Sequence, residues 1–433
     1  MDKKSLKWPS LFLIFALLGN SVSTAFLYVA FFIAIIEVII CEMEYTLYFS
    51  FFLIPNIRIL DGTGINFLVN FLMVLPLVKY LIKNRFVLLK PSVLGAIAFI
   101  VIESVHILFV GNIQNIPSEI CWLLAYILCS SLLLDNRYKL NKISVCLYFS
   151  MGIVFSAVIY LFCNSWFTSN LIANVIDGYR FSAYADDPNF YSLYICLDLA
   201  VILSIKNKRK MYYSLYLILT AIGFLTASKM CMLLMCFLFV VSAMMYYCSC
   251  RTSRKDVSFI NRILIIFICC FMAFKDVFLE FINNLLKRAG LINSSNVSLS
   301  KVTTGRSTIL TNYLTILNKN MIALFLGYGF QYDKYLGEAT HHGAHNTYMD
   351  MVLSWGLIGT IILLIFIFYI FYSYRSKIKS SISSVNYLPI ITLLINFFDL
   401  GCLSATMYWF VIAIALIALN NNEYKEYKIN GSY

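Results

Sequence analysis

Uninterrupted apolar blocks of membrane-spanning length dominate this 433-residue sequence. Residues 230–247, for example, are apolar except for Ser242. A helix needs about 20 apolar residues to cross the hydrocarbon core of a bilayer. The strands of an outer-membrane barrel instead alternate polar and apolar residues over about ten positions, which this sequence does not do. The blocks therefore predict a helical membrane protein.

Composition excludes a soluble globular protein. Hydrophobic residues make up 61% of the chain and charged residues 12%, whereas soluble proteins have about 25% charged residues. The net charge of +12 does not indicate nucleic acid binding, because the basic residues lie in short clusters between apolar blocks. The thirteen cysteines lie mostly inside the blocks and imply no disulfide framework.

The number of blocks gives the expected fold class. We expect an all-α polytopic membrane protein with about 12–14 transmembrane helices, forming a single integral membrane domain over residues 1–433. The lower limit reflects Gly19, Asn20 and Ser21, which form either a tight hairpin between two helices or a polar kink within one.

Two connecting segments, 164–187 and 279–345, are too long to be simple connectors. The second precedes the last three spans and contains a predicted helix near 307–318. Loops longer than about 12–15 residues usually have a function. The positive-inside rule places both segments on the outer side of the membrane and both termini in the cytoplasm. The N-terminal block lacks a small-residue cleavage site and the next span follows at once, so we expect no cleavable signal peptide.

The first long segment ends in a polar motif over residues 178–189. Asp187 is a predicted N-cap and Pro188 suits the first turn of the next span. Helix capping does not explain Arg180, whose planar guanidinium suits a phosphate group. Lys229, at a second predicted outer turn, either reaches the membrane interface or contacts an anion.

Arg306 lies at the start of the predicted helix in the second long segment, with Ser307 as its expected N-cap. The helix dipole disfavours a cation at this position. Arg306 is therefore either a phosphate-binding residue or a surface arginine.

Three of the four histidines lie in one stretch, at His341, His342 and His345. A histidine near the membrane surface is suited to act as general base toward a hydroxyl. His341 and His345 have metal-ligand spacing, but Gly343 interrupts a continuous helix, and we expect no metal. The remaining alternative is a structural cap by Asn346 beside idle histidines.

Ionisable residues inside apolar blocks permit a different function. Glu103 and His106, three residues apart, either pair with each other or line a transport path. Four further residues of this kind are Glu37, Asp198, Lys275 and Asp399.

Five motifs, in this order, resemble the O-antigen polymerase and ligase superfamily of bacterial inner-membrane glycosyltransferases. They are G-Y-R-F-S-A-Y-A-D-D-P-N (178–189), L-T-A-S-K-M (225–230), T-G-R-S-T-I-L (304–310), G-Y-G-F (327–330) and H-N-T-Y-M-D-M-V-L-S-W-G-L-I-G (345–359).

The resemblance implies roles for individual residues. Arg180 and Arg306 look like arginines that bind the diphosphate of an undecaprenyl-diphosphate-linked glycan, and His345 looks like the histidine that assists the acceptor hydroxyl. Lys229 stands where the family more often has arginine. Candidate substrate-binding residues are Lys229, Asn346, Asn189, Asp187 and Tyr328. No role follows for Asp350 or Trp355.

The implied activity is metal- and cofactor-independent glycosyl transfer at the periplasmic face of the inner membrane. A polymerase, which joins lipid-linked repeat units into O-antigen or a related surface polysaccharide, is the favoured interpretation. A ligase that transfers the glycan to lipid A core is the nearest alternative, and a polysaccharide flippase or transporter is the alternative of another class. Expected partners are the lipid-linked glycans and membrane lipids, with a chain-length regulator as a further candidate; nucleic acid is not among them.

Overall fold

The computed structural model describes residues 7–65, 67–110, 116–138, 140–163, 180–185, 187–205, 210–226, 228–248, 283, 306–330, 332, 336, 344–378, 384–401, 403 and 405–420. These residues form helices joined by turns and contain no strand. The predicted all-α polytopic membrane class is confirmed. Most of the two long segments, 164–187 and 279–345, and the apolar block near 260–278 lie outside the described residues.

The first half of the chain forms eight α-helices in the described ranges. They are α1 (Lys7–Ser21), α2 (Ala25–Ile40), α3 (Met43–Leu53), α4 (Leu68–Val74), α5 (Pro76–Lys83), α6 (Lys90–Val110), α7 (Ile116–Leu134) and α8 (Lys142–Cys163).

The second half contributes the helices that surround the candidate site. They are α9 (Pro188–Ser204), α10 (Lys210–Leu225), α11 (Lys229–Cys248), α12 (Arg306–Lys319), α13 (Met321–Leu326), α14 (Thr347–Lys377), α15 (Leu388–Asn396) and α16 (Met407–Ile417).

Three of the described helices are long and apolar enough to cross a membrane, at Pro117–Leu134, Lys142–Cys163 and Thr347–Lys377. Six further apolar helices are shorter, at Ala25–Ile40, Pro188–Ser204, Lys210–Leu225, Lys229–Val241, Ser384–Asn396 and Met407–Ile417. The expected 12–14 spans therefore stay a prediction.

Two apolar blocks contain breaks. Pro76 separates α4 from α5, because proline has no N–H to continue the helical ladder. Within α14, Gly356 adopts a φ of +64° and divides the 31-residue helix into two parts. Near the N-terminus, α1 ends at Ser21, and residues 22–24 connect it to α2. Of the two alternatives for Gly19, Asn20 and Ser21, the structure therefore favours a hairpin between two helices over a kink within one.

The helix directions give the bundle two polar ends. The site end contains the turns before α9, between α10 and α11, before α14 and between α15 and α16. The basic end contains Lys142, whose Nζ donates to the carbonyl of Ser204 at 2.9 Å. It also contains Lys377, whose Nζ donates to carbonyls at the end of α7, those of Leu133 and Asp135.

A cluster of buried aromatic rings joins α6, α7, α14 and α16. Trp122 lies 5.2 Å from Trp355 and 5.3 Å from Trp409 between ring centroids, in edge-to-face geometry. Phe99 stacks on Trp355 at 5.3 Å. Aromatic pairs of this kind contribute about 0.5–1.5 kcal/mol each beyond the area they bury. The cluster fixes the first part of α14, and with it the turn that precedes this helix.

Candidate functional site

Asp187 caps α9 at the site end of the bundle. Its backbone is extended, and its Oδ1 accepts a hydrogen bond from the N–H of Asn189 at 2.6 Å. Pro188 occupies the first helical position, where a missing N–H costs nothing. The predicted cap is confirmed, and it fixes Asn189 in the first turn of the helix.

Arg180 reaches back over this first turn. Its guanidinium donates to Oδ1 of Asn189 at 2.6 Å, and its Nε donates to the carbonyl of Thr226 at 3.4 Å. The residue is exposed. These two contacts orient a solvent-facing guanidinium between the start of α9 and the end of α10.

Lys229 is the first residue of α11 and follows the same turn that accepts the Arg180 hydrogen bond. The hydroxyl of Ser228, beside it, donates to Oδ1 of Asn189 at 3.4 Å. Arg180 and Lys229 therefore lie at the same end of the bundle, Arg180 in contact with Thr226 and Lys229 next to Ser228 in the chain. Both basic side chains lie near the start of α11, where the helix dipole disfavours positive charge.

His345 has a left-handed backbone conformation, with a φ of +49°. Few residues other than glycine adopt this conformation, and it persists only where neighbouring contacts impose it. On one side, the N–H of Ala344 donates to the hydroxyl of Tyr332 at 3.0 Å. On the other, Oδ1 of Asn346 accepts from the N–H of Met349 at 3.0 Å and caps α14. The cap predicted for Asn346 is confirmed.

The loop between α15 and α16 also holds this turn in place. Nδ2 of Asn346 donates to the carbonyl of Phe398 at 3.1 Å, and the N–H of Thr347 donates to the carbonyl of Phe397 at 2.8 Å. The hydroxyl of Thr347 donates to the carbonyl of Leu400 at 2.5 Å. Contacts from both sides thus fix the backbone on either side of His345.

Tyr332 and Asp350 form a buried pair beneath the turn. The phenol of Tyr332 donates to Oδ1 of Asp350, and both residues are more than 90% buried. Burial, followed by the negative charge of Asp350, raises the pKa of Tyr332 well above its usual value. The phenol therefore stays protonated and keeps donating to Asp350. The sequence alone assigns no role to Asp350 and does not single out Tyr332.

A cavity of about 190 Å³ brings these elements together. Asp187 and Asn189 line it from α9, and His345, Asp350 and Ser354 line it from the turn and first part of α14. Its remaining lining residues are Phe190, Phe330, Tyr332, Ala344, Leu400, Gly401 and Leu403. Asn189 connects Arg180 to this cavity, since it lines the cavity and accepts the Arg180 hydrogen bond.

The structure places the other predicted site residues as follows. Helix α12 begins at Arg306, one residue before the predicted start at 307. The prediction of Ser307 as the N-cap is wrong, because Ser307 lies inside the helix. The side chains of Arg306 and Ser307 lie outside the described residues, as do His341 and His342. Tyr328 is buried and packs with Tyr313, Tyr332 and Leu353, not against the cavity.

Glu103 and His106 are paired, with 3.7 Å between His106 Nδ1 and Glu103 Oε2. Nε2 of His106 donates to the carbonyl of Leu326 at 2.5 Å, and Nε1 of Trp355 donates to Glu103. The two ionisable groups thus tie α6 to α13 and α14. Of the two alternatives in the sequence, this geometry favours pairing.

Residues 214–364 match the family described as O-antigen ligase. The matched region begins in α10 and ends in α14, so it includes Lys229, Tyr332, His345 and Asp350 but not Arg180. No curated protein matches the chain significantly. The match covers about a third of the chain and supports its membership of the O-antigen polymerase and ligase superfamily of membrane enzymes.

Proposed function

We propose that the protein joins lipid-linked oligosaccharide repeat units into O-antigen or a related surface polysaccharide, at the periplasmic face of the inner membrane. The observation that carries this proposal is the arrangement of Arg180, Asn189 and His345. Asn189 accepts a hydrogen bond from Arg180 and lines the cavity that His345 also lines.

The donor in this reaction is a glycan attached to undecaprenyl diphosphate. A hydroxyl of the acceptor sugar attacks the anomeric carbon of the donor, and the bond from that carbon to the phosphate oxygen breaks. The electron pair of that bond leaves with undecaprenyl diphosphate, on which negative charge develops. His345 takes the proton of the attacking hydroxyl.

Arg180 stabilises the leaving diphosphate because its guanidinium is already oriented by Asn189 and Thr226. Donors held in place before the reaction stabilise developing charge without a reorganisation cost. Arg306 supplies a second guanidinium, and Lys229 adds positive charge beside Arg180. Lysine lacks the planar fork of arginine, so Lys229 contributes charge more than geometry.

The small volume of the cavity fits a reaction in which only the reacting groups of two large substrates enter the site. About 190 Å³ is below the volume of most sites that enclose a whole ligand. It is large enough for the reacting sugar hydroxyl and its immediate surroundings, while the lipid and the remaining glycan lie outside. The neighbouring apolar helices give the lipid chain a place in the bilayer.

The experiment that tests the function is the lipopolysaccharide banding pattern of a strain that lacks this protein. Core carrying a single repeat unit supports the polymerase. Bare core with accumulated lipid-linked polymer would identify a ligase instead, and bare core with unpolymerised precursor would identify a flippase. Plasmid-borne wild-type protein should restore the full ladder, and the His345→Asn variant should not.

A further inference from the structure

A second cavity, of about 310 Å³, lies at the site end of the bundle. It is lined by Arg58 and Asp61 from the segment after α3, Asn20 from α1, Tyr160 from α8 and Ser182 and Tyr184 from the 180–185 loop. None of these residues belongs to the machinery proposed above.

The Arg180–Ala185 loop has contacts at both cavities. Arg180 faces the start of α9, while Ser182, Ala183 and Tyr184 line the second cavity. The loop is fixed from both sides: the N–H of Phe181 donates to the carbonyl of Leu225 at 3.2 Å, and the N–H of Arg58 donates to the carbonyl of Tyr184 at 3.0 Å. A ligand in the second cavity thus contacts residues that lie only a few positions along the chain from the proposed diphosphate-binding arginine.

The lining combines groups that recognise sugars. The rings of Tyr160 and Tyr184 meet edge to face with centroids 5.4 Å apart and form an apolar wall. Arg58 offers guanidinium donors, Asp61 offers carboxylate acceptors, and Ser182 offers a hydroxyl that both donates and accepts. Sugar rings have apolar faces and hydroxyls around their edges, so such a lining satisfies both.

The charges favour a neutral sugar over a second phosphate. Nε of Arg58 lies 3.9 Å from Oδ2 of Asp61, which is too long for a hydrogen bond but close enough to balance the two charges. A phosphate placed beside Arg58 would also lie beside the Asp61 carboxylate and be repelled by it. A hydroxyl accepts from the guanidinium and donates to the carboxylate, and so bridges the gap between them.

We propose that this second cavity is a saccharide-binding site that holds sugar rings of the glycan while its diphosphate lies at Arg180. This proposal rests on the proposed function and adds to it the residues that recognise the glycan. A volume of about 310 Å³ is at the low end for ligand pockets, so the site holds a few sugar groups and leaves the rest of the repeat in solvent.

The experiment measures binding of a defined probe to the full-length protein in lipid nanodiscs. The probe is the free oligosaccharide released by mild acid from the strain's own lipid-linked repeat units, which lacks both lipid and phosphate. We expect Arg58→Gln, Asp61→Asn and Ser182→Ala each to weaken binding, by about tenfold for the two charged positions, where a charge-assisted hydrogen bond is lost.

Two matched substitutions serve as controls. Ser23→Ala removes an exposed hydroxyl at the same end of the bundle, and Glu42→Gln neutralises an exposed carboxylate at the basic end. Both should bind the probe like the wild type. Thermal unfolding of every variant identifies any that fails to fold. If Arg58→Gln or Asp61→Asn is unstable, Ser182→Ala, which is the smallest change, still tests the site.

A kinetic arm identifies which glycan occupies the site. The concentration of a single-repeat lipid-linked acceptor is varied against a fixed polymer donor, and then the reverse. The substrate whose KM rises in Asp61→Asn, with kcat little changed, is the one that occupies the cavity.

Probe binding that is equal in the wild type and the Arg58 and Asp61 variants, or absent from the wild type, would overturn the proposal. Bare core in the strain that lacks this protein would reject the proposed polymerase function instead, and it would leave the binding result standing.

Discussion

The guanidinium of Arg180 donates to the amide oxygen of Asn189 at 2.6 Å, across the first turn of α9. The N–H of Asn189 is meanwhile bound to the capping carboxylate of Asp187. The start of α9 thus orients the guanidinium of Arg180 and also lines the cavity that His345 lines. The residues that cap this helix are therefore also the ones that orient the arginine for which we propose diphosphate binding.

We expect Arg180→Lys to abolish long polysaccharide chains while the protein stays in the membrane. Lysine keeps the charge but cannot donate in the fixed fork that meets both Asn189 and a diphosphate oxygen. Loss of one preorganised donor typically lowers the rate by about 10²–10³. Densitometry of the lipopolysaccharide ladder checks this, with Arg375→Lys, an exposed position near the end of α14, as the matched control. A full ladder from Arg180→Lys would reject the role of Arg180.

We expect His345→Asn to fold normally and to lose polymerisation by about 10²–10⁴, the contribution of a general base. Asparagine tolerates the left-handed backbone of this residue, whose φ is +49°, and removes only the imidazole. Turnover of lipid-linked repeats in nanodiscs is measured beside the thermal unfolding temperature. Wild-type turnover in a fully folded variant would mean that His345 serves the turn and not the chemistry.

Tyr332→Phe should cost about 1–3 kcal/mol of stability, because it leaves the buried Asp350 and the N–H of Ala344 without the phenol. We also expect lower kcat, since Ala344 precedes His345 and the turn loses an anchor. The double variant with Asp350→Leu, measured by thermal unfolding, should lose less than the two single variants added together. Additive losses would show that the two residues act independently.

Gly356→Ala should prevent stable folding. At a φ of +64°, a Cβ at this position would overlap the carbonyl of Phe325, so the new methyl group meets rigid backbone. Gly64→Ala is the matched control, because Gly64 has a φ of +77° but a Cβ added there would have nothing within 4 Å. The control should cost only about 1–2 kcal/mol from the backbone strain. The amount of each variant in detergent extracts provides the measurement, and equal amounts would contradict the close approach.

Local signals predicted much of this structure. The residues Asp187, Pro188 and Asn346 indicate helix starts because capping depends on a few neighbouring positions. The helix over Arg306–Lys319 was also expected to within a residue at each end. These elements needed no knowledge of how distant segments pack.

The parts that sequence reasoning missed depend on distant contacts. Asp350 looks like an ordinary acidic residue in the first turn of a helix until Tyr332, 18 residues earlier, packs against it. Gly356 lies inside an apolar block that looks continuous, and the break there arises from the approach of α13, not from any local pattern. No spacing rule connects such pairs.

The hydrogen bonds from Lys377 to the carbonyls at the end of α7 have a consequence for biosynthesis. About 240 residues separate the two partners, so α7 enters the membrane long before its last carbonyls acquire their donor. Until Lys377 has been synthesised, the carbonyls of Leu133 and Asp135 need another hydrogen-bond donor. The end of α7 is therefore completed only once α14 has been made. The turn at His345 is completed later still, because it binds carbonyls of the loop between α15 and α16, which follow α14 in the chain.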